Sequence, residues 1–369
     1  MKKILLVYNS SAWGSAGFRL KYISEYLEQR YIVDKCPIYS NIELKRTISN
    51  PKFAWFIVNR LFQKIFYAPQ SNHYNIKTFK KEIKEKIING NHDTVIIFVR
   101  PFYLLRLTSI IRAINQNIRI IVDMTDPFYL NVALKHLSLL KKAQIKMFER
   151  KYLRNIDALI VLNEELREYY NKITKGKTKV IEQGISKEEV PLNIKSLTSS
   201  DKSTIRLIYG GTLIENIREP YELIKAVAQF DKDIKLDLYA KYVRLDKSKL
   251  TEKENINYNS LIDKNELINI FLKSDIVVFI DNFYGKQVPG KILETLAIPK
   301  PILFIYNNEN SPTLRYIDNQ PGVYLAYNNI NSITNAIHQI LNNGIQEYNR
   351  TISKYYWDSL LIKLNELLK

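Results

Sequence analysis

A chain of 369 residues, 46% hydrophobic and 25% charged, with 11 glycines and 12 prolines, has the composition of a globular protein and is long for one core, so two domains are expected. Its single cysteine, Cys36, excludes an intrachain disulfide and fits a reducing compartment. No stretch approaches the roughly 18 apolar residues of a transmembrane helix, and the apolar run at 4–8 is too short for the core of a signal peptide. The formal charge of +18 is unevenly placed: residues 1–190 hold 33 Lys/Arg against 17 Asp/Glu, and residues 191–369 hold 22 against 20. The first half therefore faces a polyanion, with an anionic membrane and a nucleic acid as the two candidates.

In chain order, short apolar strands are expected at 4–8, 94–99, 118–123, 158–162 and 178–182, with helical periodicity between them at 18–29, 103–115, 137–154 and 164–173. A polar stretch over 186–204 lacks periodicity and reads as a linker. The alternation then resumes. Strands are expected at 205–209, 235–239, 255–258, 275–280, 301–305 and 322–325, and helices near 220–230, 264–272, 290–296 and 330–342. A last helical pattern lies within 346–369, with Trp357 near its start. Two such strand–helix series predict an α/β chain of two doubly wound, Rossmann-like domains, 1–190 and 191–345, followed by the segment 346–369. Ligands of open parallel sheets bind beyond the carboxyl ends of the strands, so residues just after strands carry the functional interest.

Three such places stand out in the first half, beside two basic clusters. The loop after the first strand, with Gly14 and Gly17, is built of small residues and opens a helix. Arg100 follows the strand at 94–99. Asp123 and Asp126 follow the strand at 118–123, and either carboxylate can orient a hydroxyl or accept its proton; Asp126 before Pro127 is equally a turn-former. Residues 41–90 hold ten basic and three acidic residues interleaved with aromatics, among them Lys45, Arg46, Lys52, Phe53, Trp55, Phe56, Arg60, Phe62, Lys64, Phe66 and Tyr67. That mixture suits a lipid interface. Lys135, Lys141, Lys142, Lys146, Arg150, Lys151 and Arg154 form a second basic cluster on or beside a helix. Nucleic-acid binding lacks its motifs: there is no zinc pattern, RNP-type sequence or recognisable helix-turn-helix. The four histidines, His73, His92, His136 and His338, show no metal-ligand spacing.

In the second half, Gly210, Gly211 and Thr212 end the strand expected at 205–209, where bare backbone can approach a phosphate. Arg218 follows within reach, and its guanidinium fork suits a diphosphate. Pro289 and Gly290 open a helix carrying Lys291 and Glu294 at i, i+3 on one face. There the lysine is a cation for phosphate, and the carboxylate can accept from two vicinal hydroxyls.

The stretch from Val288 to Leu303 resembles the nucleotide-sugar signature of glycosyltransferase family 4, P-x-K-x-x-E-Y-L-A-x-G-x-P-I, as found in polysaccharide-building members. The flanking order is similar too. Residues 255–267 resemble the family's strand, base-holding loop around Ile262 and x-x-E-L helix. Leu272–Val278 resembles A-D-V-x-V, Glu182–Ile185 resembles N-G-V, and Arg154–Glu164 resembles the A-D-x-I-V-x-S-E segment. Departures are Lys286 where the family's first acid of E-x7-E stands, Thr212 for its arginine, Thr295 for tyrosine and Pro299 for glycine.

The resemblance implies the GT-B fold, with the two domains facing across a cleft and the C-terminal helix crossing back to the first. It implies a retaining sugar transfer from a nucleotide-sugar donor, without metal or other cofactor, because Arg218, Lys291 and a helix end stabilise the departing diphosphate. With the basic first half, the expected acceptor is a membrane-associated, lipid-linked glycan, and the expected location is cytoplasmic, peripheral at the inner face of the membrane, in polysaccharide biosynthesis. The other readings are a GT-B-shaped scaffold that has lost activity, prompted by Lys286 and Thr212, and a GT-B nucleotide-sugar epimerase, which the scarcity of histidine disfavours.

Overall fold

The computed structural model describes residues 1–9, 15–38, 74–189, 204–230, 233–250 and 252–369. The expectations placed on Gly14, on the basic–aromatic residues from Lys45 to Tyr67 and on the polar stretch 196–203 lie outside the described residues. By their contacts the residues fall into two units, Met1–Gln183 with Trp357–Lys369, and Gly184–Tyr356. The contact boundary thus comes a few residues before the linker, and of the last segment only Trp357–Lys369 belongs with the first unit.

In the first unit β1 (Lys3–Asn9), β2 (Ile32–Ile38), β3 (Thr94–Phe98), β4 (Arg119–Asp123), β5 (Ala158–Val161) and β6 (Thr178–Val180) form one parallel sheet in the order β2-β1-β3-β4-β5-β6. The central strands are apolar in their interiors, because helices cover both faces of a parallel sheet; Ile4 through Val7 are wholly buried. The helices are α1 (Ser15–Glu28), α2 (Tyr74–Gly90), α3 (Leu107–Ile114, preceded by a short 3-10 turn), α4 (Leu139–Leu153) and α5 (Glu164–Thr174). Side-chain caps start two of them. Ser138 accepts from the Lys141 N–H, and Asn163 accepts from the Leu166 N–H.

Two elements of the first unit were absent from the sequence expectation. β2 reads Ile-Val-Asp-Lys-Cys-Pro-Ile, and its charges and Pro37 hide the strand pattern; as an edge strand it tolerates the proline. α2 buries Ile83 and Ile87 one turn apart while Lys80, Lys81 and Lys84 stay in water. The described end of the basic 41–90 stretch is thus an ordinary amphipathic helix with solvated lysines.

The second unit holds β7 (Ile205–Ile214), β8 (Ile234–Val243), β9 (Ile256–Ser260), β10 (Ile276–Ile280), β11 (Ile302–Tyr306) and β12 (Val323–Tyr327), again all parallel, in the order β12-β11-β10-β7-β8-β9. Its helices are α6 (Tyr221–Val227), α7 (Lys264–Lys273), α8 (Ile292–Leu296), α9 (Leu314–Ile317) and α10 (Ile330–Asn342). Asp263 caps α7 by accepting from the Asn265 and Glu266 N–H groups, and Asn329 caps α10. The chain then returns to the first unit as α11 (Trp357–Leu368). There Trp357, Leu360, Leu361 and Leu364 pack into the same apolar cluster as Ile4, Leu6 and Ile23.

Each sheet reverses its winding once. In the first unit the reversal lies between β1 and β3, and in the second between β7 and β10. Such a switch point parts the connections on either side and leaves a crevice at the carboxyl ends of the two strands.

Candidate functional site

At the switch point of the second unit, β7 pairs with β10 only through Leu207–Tyr209, while its ladder with β8 continues to Ile214. Gly210, Gly211 and Thr212 therefore lie inside a strand rather than in a loop after it, which corrects the sequence expectation. Gly210 has a packing reason to be glycine. A Cβ there would stand 2.5 Å from Leu267 Cδ2 and 2.9 Å from Phe271 Cζ, so its bare backbone lets α7 lie close on the sheet. A Cβ on Gly211 would meet only the Tyr209 hydroxyl, at 3.0 Å.

After β7 the chain doubles back. The N–H groups of Ile214 and Arg218 each donate to the other's carbonyl at 2.9 Å. This hairpin holds the Arg218 side chain, which donates through Nη2 to Asn282 Oδ1 (2.7 Å) and through Nη1 to the Thr212 carbonyl (3.4 Å). Its Nε is buried with no hydrogen-bond partner among the described residues. Asn282 comes two residues after β10 and is fixed in turn, its Nδ2 donating to the Gln287 carbonyl at 3.0 Å. Asp281 anchors the corner. Wholly buried, it accepts from Ser311 Oγ (2.5 Å), Thr313 Oγ1 (2.8 Å) and the Asn282 N–H (2.8 Å). Burial nevertheless pushes its carboxyl above the ordinary aspartate range, against these hydrogen bonds and the nearby Arg218.

The segment from Asn282 leads to Pro289, Gly290 and α8. The helix begins at Ile292, after a turn at Gly290–Lys291, so Pro289 and Gly290 precede it rather than open it. Pro289 is buried and Gly290 exposed. Glu294 does not pair with Lys291 but with Lys264, the first residue of α7, at 2.9 Å, both side chains about a third exposed. Lys291 has no ion-pair partner among the described residues. Burial holds its ammonium below the ordinary lysine range, Lys264 and Arg218 lower it further, and Glu294 opposes them. Ile262, in the loop between β9 and α7, packs half-buried against the apolar cluster that includes Leu267 and Phe271. The crevice end of this sheet thus brings Arg218 and the desolvated Lys291, neither in an ion pair among the described residues, beside the Lys264–Glu294 pair, with the enclosed Asp281 near Arg218. Cationic groups so placed suit an anion.

In the first unit, Asp123 at the end of β4 is wholly enclosed. It accepts three hydrogen bonds, of 3.1, 3.0 and 2.8 Å, from Arg19 of α1. Arg19 also donates to the Glu182 carbonyl at 2.8 Å and lies over the Trp357 ring. That carboxylate is committed to joining α1, β4 and α11. Asp126, three residues on, is about a quarter exposed and accepts from Nη1 of Arg100, whose side chain is 63% exposed. The pair brings together two residues chosen separately from the sequence. Gly17 lies half-buried in the first turn of α1. The loop after Asp126 is held from beneath by Glu149 of α4, whose Oε1 accepts from the Phe128 and Tyr129 N–H groups and from the Tyr170 hydroxyl.

Lys264, Asp281, Asn282, Arg19 and Glu149 were not singled out from the sequence. Asn282 and Asp281 had a findable signal, since they directly follow a strand. The Lys264–Glu294 pair had none, because nothing in the spacing brings those two positions together. Among the described residues no group of His, Cys, Asp and Glu is arranged to hold a metal ion, and no helix is long and apolar enough to cross a membrane.

Two Rossmann-like units in one chain, each a six-stranded parallel sheet with its own switch point, define the GT-B class of fold. No family model and no curated protein matches the sequence. Solved structures do match. A glycosyltransferase from Rickettsia africae ESF-5 is similar over 100% of this chain and 99% of its own, with a TM-score of 0.65 at 15% identity. The lipopolysaccharide outer core galactosyltransferase WaaB, in its apo form, is similar over 99% of both chains, with a TM-score of 0.64 at 12% identity. The α,α-trehalose-phosphate synthase (UDP-forming) from Burkholderia xenovorans, in complex with glucose-6-phosphate, is similar over 99% of this chain and 96% of its own, with a TM-score of 0.58 at 12% identity. Likeness at such identities establishes the fold.

Proposed function

We propose that the protein is a glycosyltransferase that moves a sugar from a nucleotide-sugar donor to a membrane-associated, lipid-linked glycan, with retention of configuration, as a member of glycosyltransferase family 4. One observation carries this reading: Arg218 and the desolvated Lys291 stand together at the second switch point, beside the Lys264–Glu294 pair. A diphosphate supplies the opposite charge. Arg218 and Lys291 take its oxygens, and Glu294 exchanges Lys264 for the ribose hydroxyls. The strand backbone at Gly210–Thr212, Ile262, and the turn at Pro289 and Gly290 line the donor. In the transfer, the bond from the anomeric carbon to the diphosphate oxygen breaks and one to the acceptor hydroxyl oxygen forms. The cations stabilise the charge arriving on the departing diphosphate. The hydroxyl's proton goes to a carboxylate, for which we assign Asp126, released from Arg100. Asp123, enclosed by Arg19, is left a structural role. Gly14 and Gly17 are assigned to the acceptor side. The protein works without a cofactor, in the cytoplasm at the inner face of the membrane.

Thermal unfolding with UDP, GDP, ADP and dTDP, and with their common sugar conjugates, tests the donor site. A ligand at about 100 times its dissociation constant stabilises the protein by about 2.7 kcal/mol. One nucleotide is expected to raise the unfolding temperature of the wild type and to lose that effect in Glu294→Ala. If none does so, the donor site is wrong. Binding without transfer or donor hydrolysis favours the scaffold reading.

A further inference from the structure

The helix α4 (Leu139–Leu153) turns Ile145, Phe148, Glu149, Tyr152 and Leu153 into the core of the first unit. Its opposite side is unusual. Leu139 is 85% exposed, Leu140 66% and Met147 70%. Leu139, Ala143 and Met147 follow one another at i, i+4 and i+8, so they form a single stripe about 12 Å long, with Leu140 beside it. The stripe continues past Met147 into Arg150 and Arg154, both exposed, with exposed Lys151 alongside. Lys142 and Lys146 flank it, half-buried. Between Asn131 and Asn155 the only acidic residue is Glu149, and it is enclosed. Single exposed leucines are ordinary on protein surfaces, but a run of three large apolar side chains bordered by cations, on a helix with no exposed acid of its own, is not.

We infer that α4 is a membrane-docking helix: Leu139, Leu140 and Met147 enter the interface of an anionic bilayer while Arg150, Lys151 and Arg154 meet its phosphates. The observations select this occupant. A second copy of the chain would bring a like-charged surface against these arginines, whereas lipid headgroups supply the opposite charge next to an apolar phase. Because one side of α4 docks and the other holds the loop after Asp126 through Glu149, the helix joins the membrane surface to the carboxylate assigned to the acceptor. This deepens the function proposed above, and only that last link rests on it.

The test is co-sedimentation with vesicles of equal parts phosphatidylglycerol and phosphatidylcholine, beside vesicles of phosphatidylcholine alone, at low and high salt. The wild type is expected to pellet with the anionic vesicles only. The triple variant Leu139→Ser, Leu140→Ser, Met147→Ser is expected to bind at least about a hundredfold more weakly, about tenfold being the effect of each buried leucine withheld. The double variant Arg150→Ser, Arg154→Ser is expected to lose about fivefold per cation and part of the salt dependence. All these side chains are exposed, so unfolding temperatures stay at the wild-type value. The nucleotide-induced stabilisation, read on the same samples, separates failure of docking from failure of the donor site. The inference is overturned if the wild type stays in the supernatant, if the triple variant pellets as the wild type does, or if sedimentation velocity shows that the triple substitution instead dissociates a dimer.

Discussion

Glu149 offers a quantitative test of the structure in the first unit. It is enclosed, and all of its hydrogen bonds converge on Oε1, leaving Oε2 buried with no partner. Burial pushes its carboxyl from the ordinary 4.5 up to about 7, against the pull of Tyr170 and the two backbone N–H groups. The sign follows from linkage. The folded state binds the proton more tightly than the unfolded state, so this group's contribution to stability is fully present below pH 4.5 and is lost as pH rises through about 7. At 1.36 kcal/mol per pKa unit the contribution is about 3 kcal/mol. Glutamine keeps the accepting oxygen and cannot ionise. In Glu149→Gln the dependence therefore disappears, and the difference in stability between wild type and variant moves against the wild type by about 3 kcal/mol between pH 5 and pH 8. For a unit of this size that is a change of about 6–12 °C in the difference between their unfolding temperatures, readable by scanning calorimetry at matched pH. Other titrating groups cancel in the subtraction. A difference that stays flat across the range, or moves in favour of the wild type with rising pH, would refute the assignment of Glu149 as a buried, destabilised carboxylate.

The remaining predictions concern the two switch points. Lys291→Ala is expected to weaken nucleotide diphosphate binding about 10- to 100-fold by titration calorimetry, the worth of one charge-assisted hydrogen bond, with little change in stability. Asp123→Ala strands Arg19 in the interior and is expected to destabilise the protein by about 3–5 kcal/mol in urea unfolding. Asp126→Ala, whose partner Arg100 is solvated, is expected to change stability by less than about 1 kcal/mol while lowering the transfer rate; a large stability loss there would make Asp126 structural too. Gly210→Ala pushes a methyl into Leu267 and Phe271 and is expected to cost about 1–2 kcal/mol, whereas Gly211→Ala, meeting only a tyrosine hydroxyl, is expected to stay close to the wild type in the same measurement.

The strand–helix alternation, the two doubly wound sheets and nearly every element of the second unit were legible in the sequence, because strands buried on both faces must be continuously apolar and helices between them must repeat at 3.6 residues. β2 was not, because an edge strand buried on fewer sides admits Asp34, Lys35 and Pro37 without penalty. Candidate positions after strands were legible for the same reason that the topology was, and this is how Arg100, Asp126 and Arg218 became candidates, whereas Glu294 became one through the resemblance of 288–303 to the glycosyltransferase signature. The partner of each charge was decided only by tertiary structure. Lys291 and Glu294 share a helix face by spacing, yet the ion pair goes to Lys264, thirty positions away in the chain. Asp123 and Asp126 are alike on paper, yet α1 delivers Arg19 to one and leaves the other about a quarter exposed beside Arg100. Gly210 suggested an approach to phosphate, and only the folded sheet shows that the same bare backbone also seats α7. The one-dimensional pattern determines which face of each element is buried, since burial is a property of local periodicity. Which charge meets which is set by strand order and helix packing, and these appear only when the whole chain is folded.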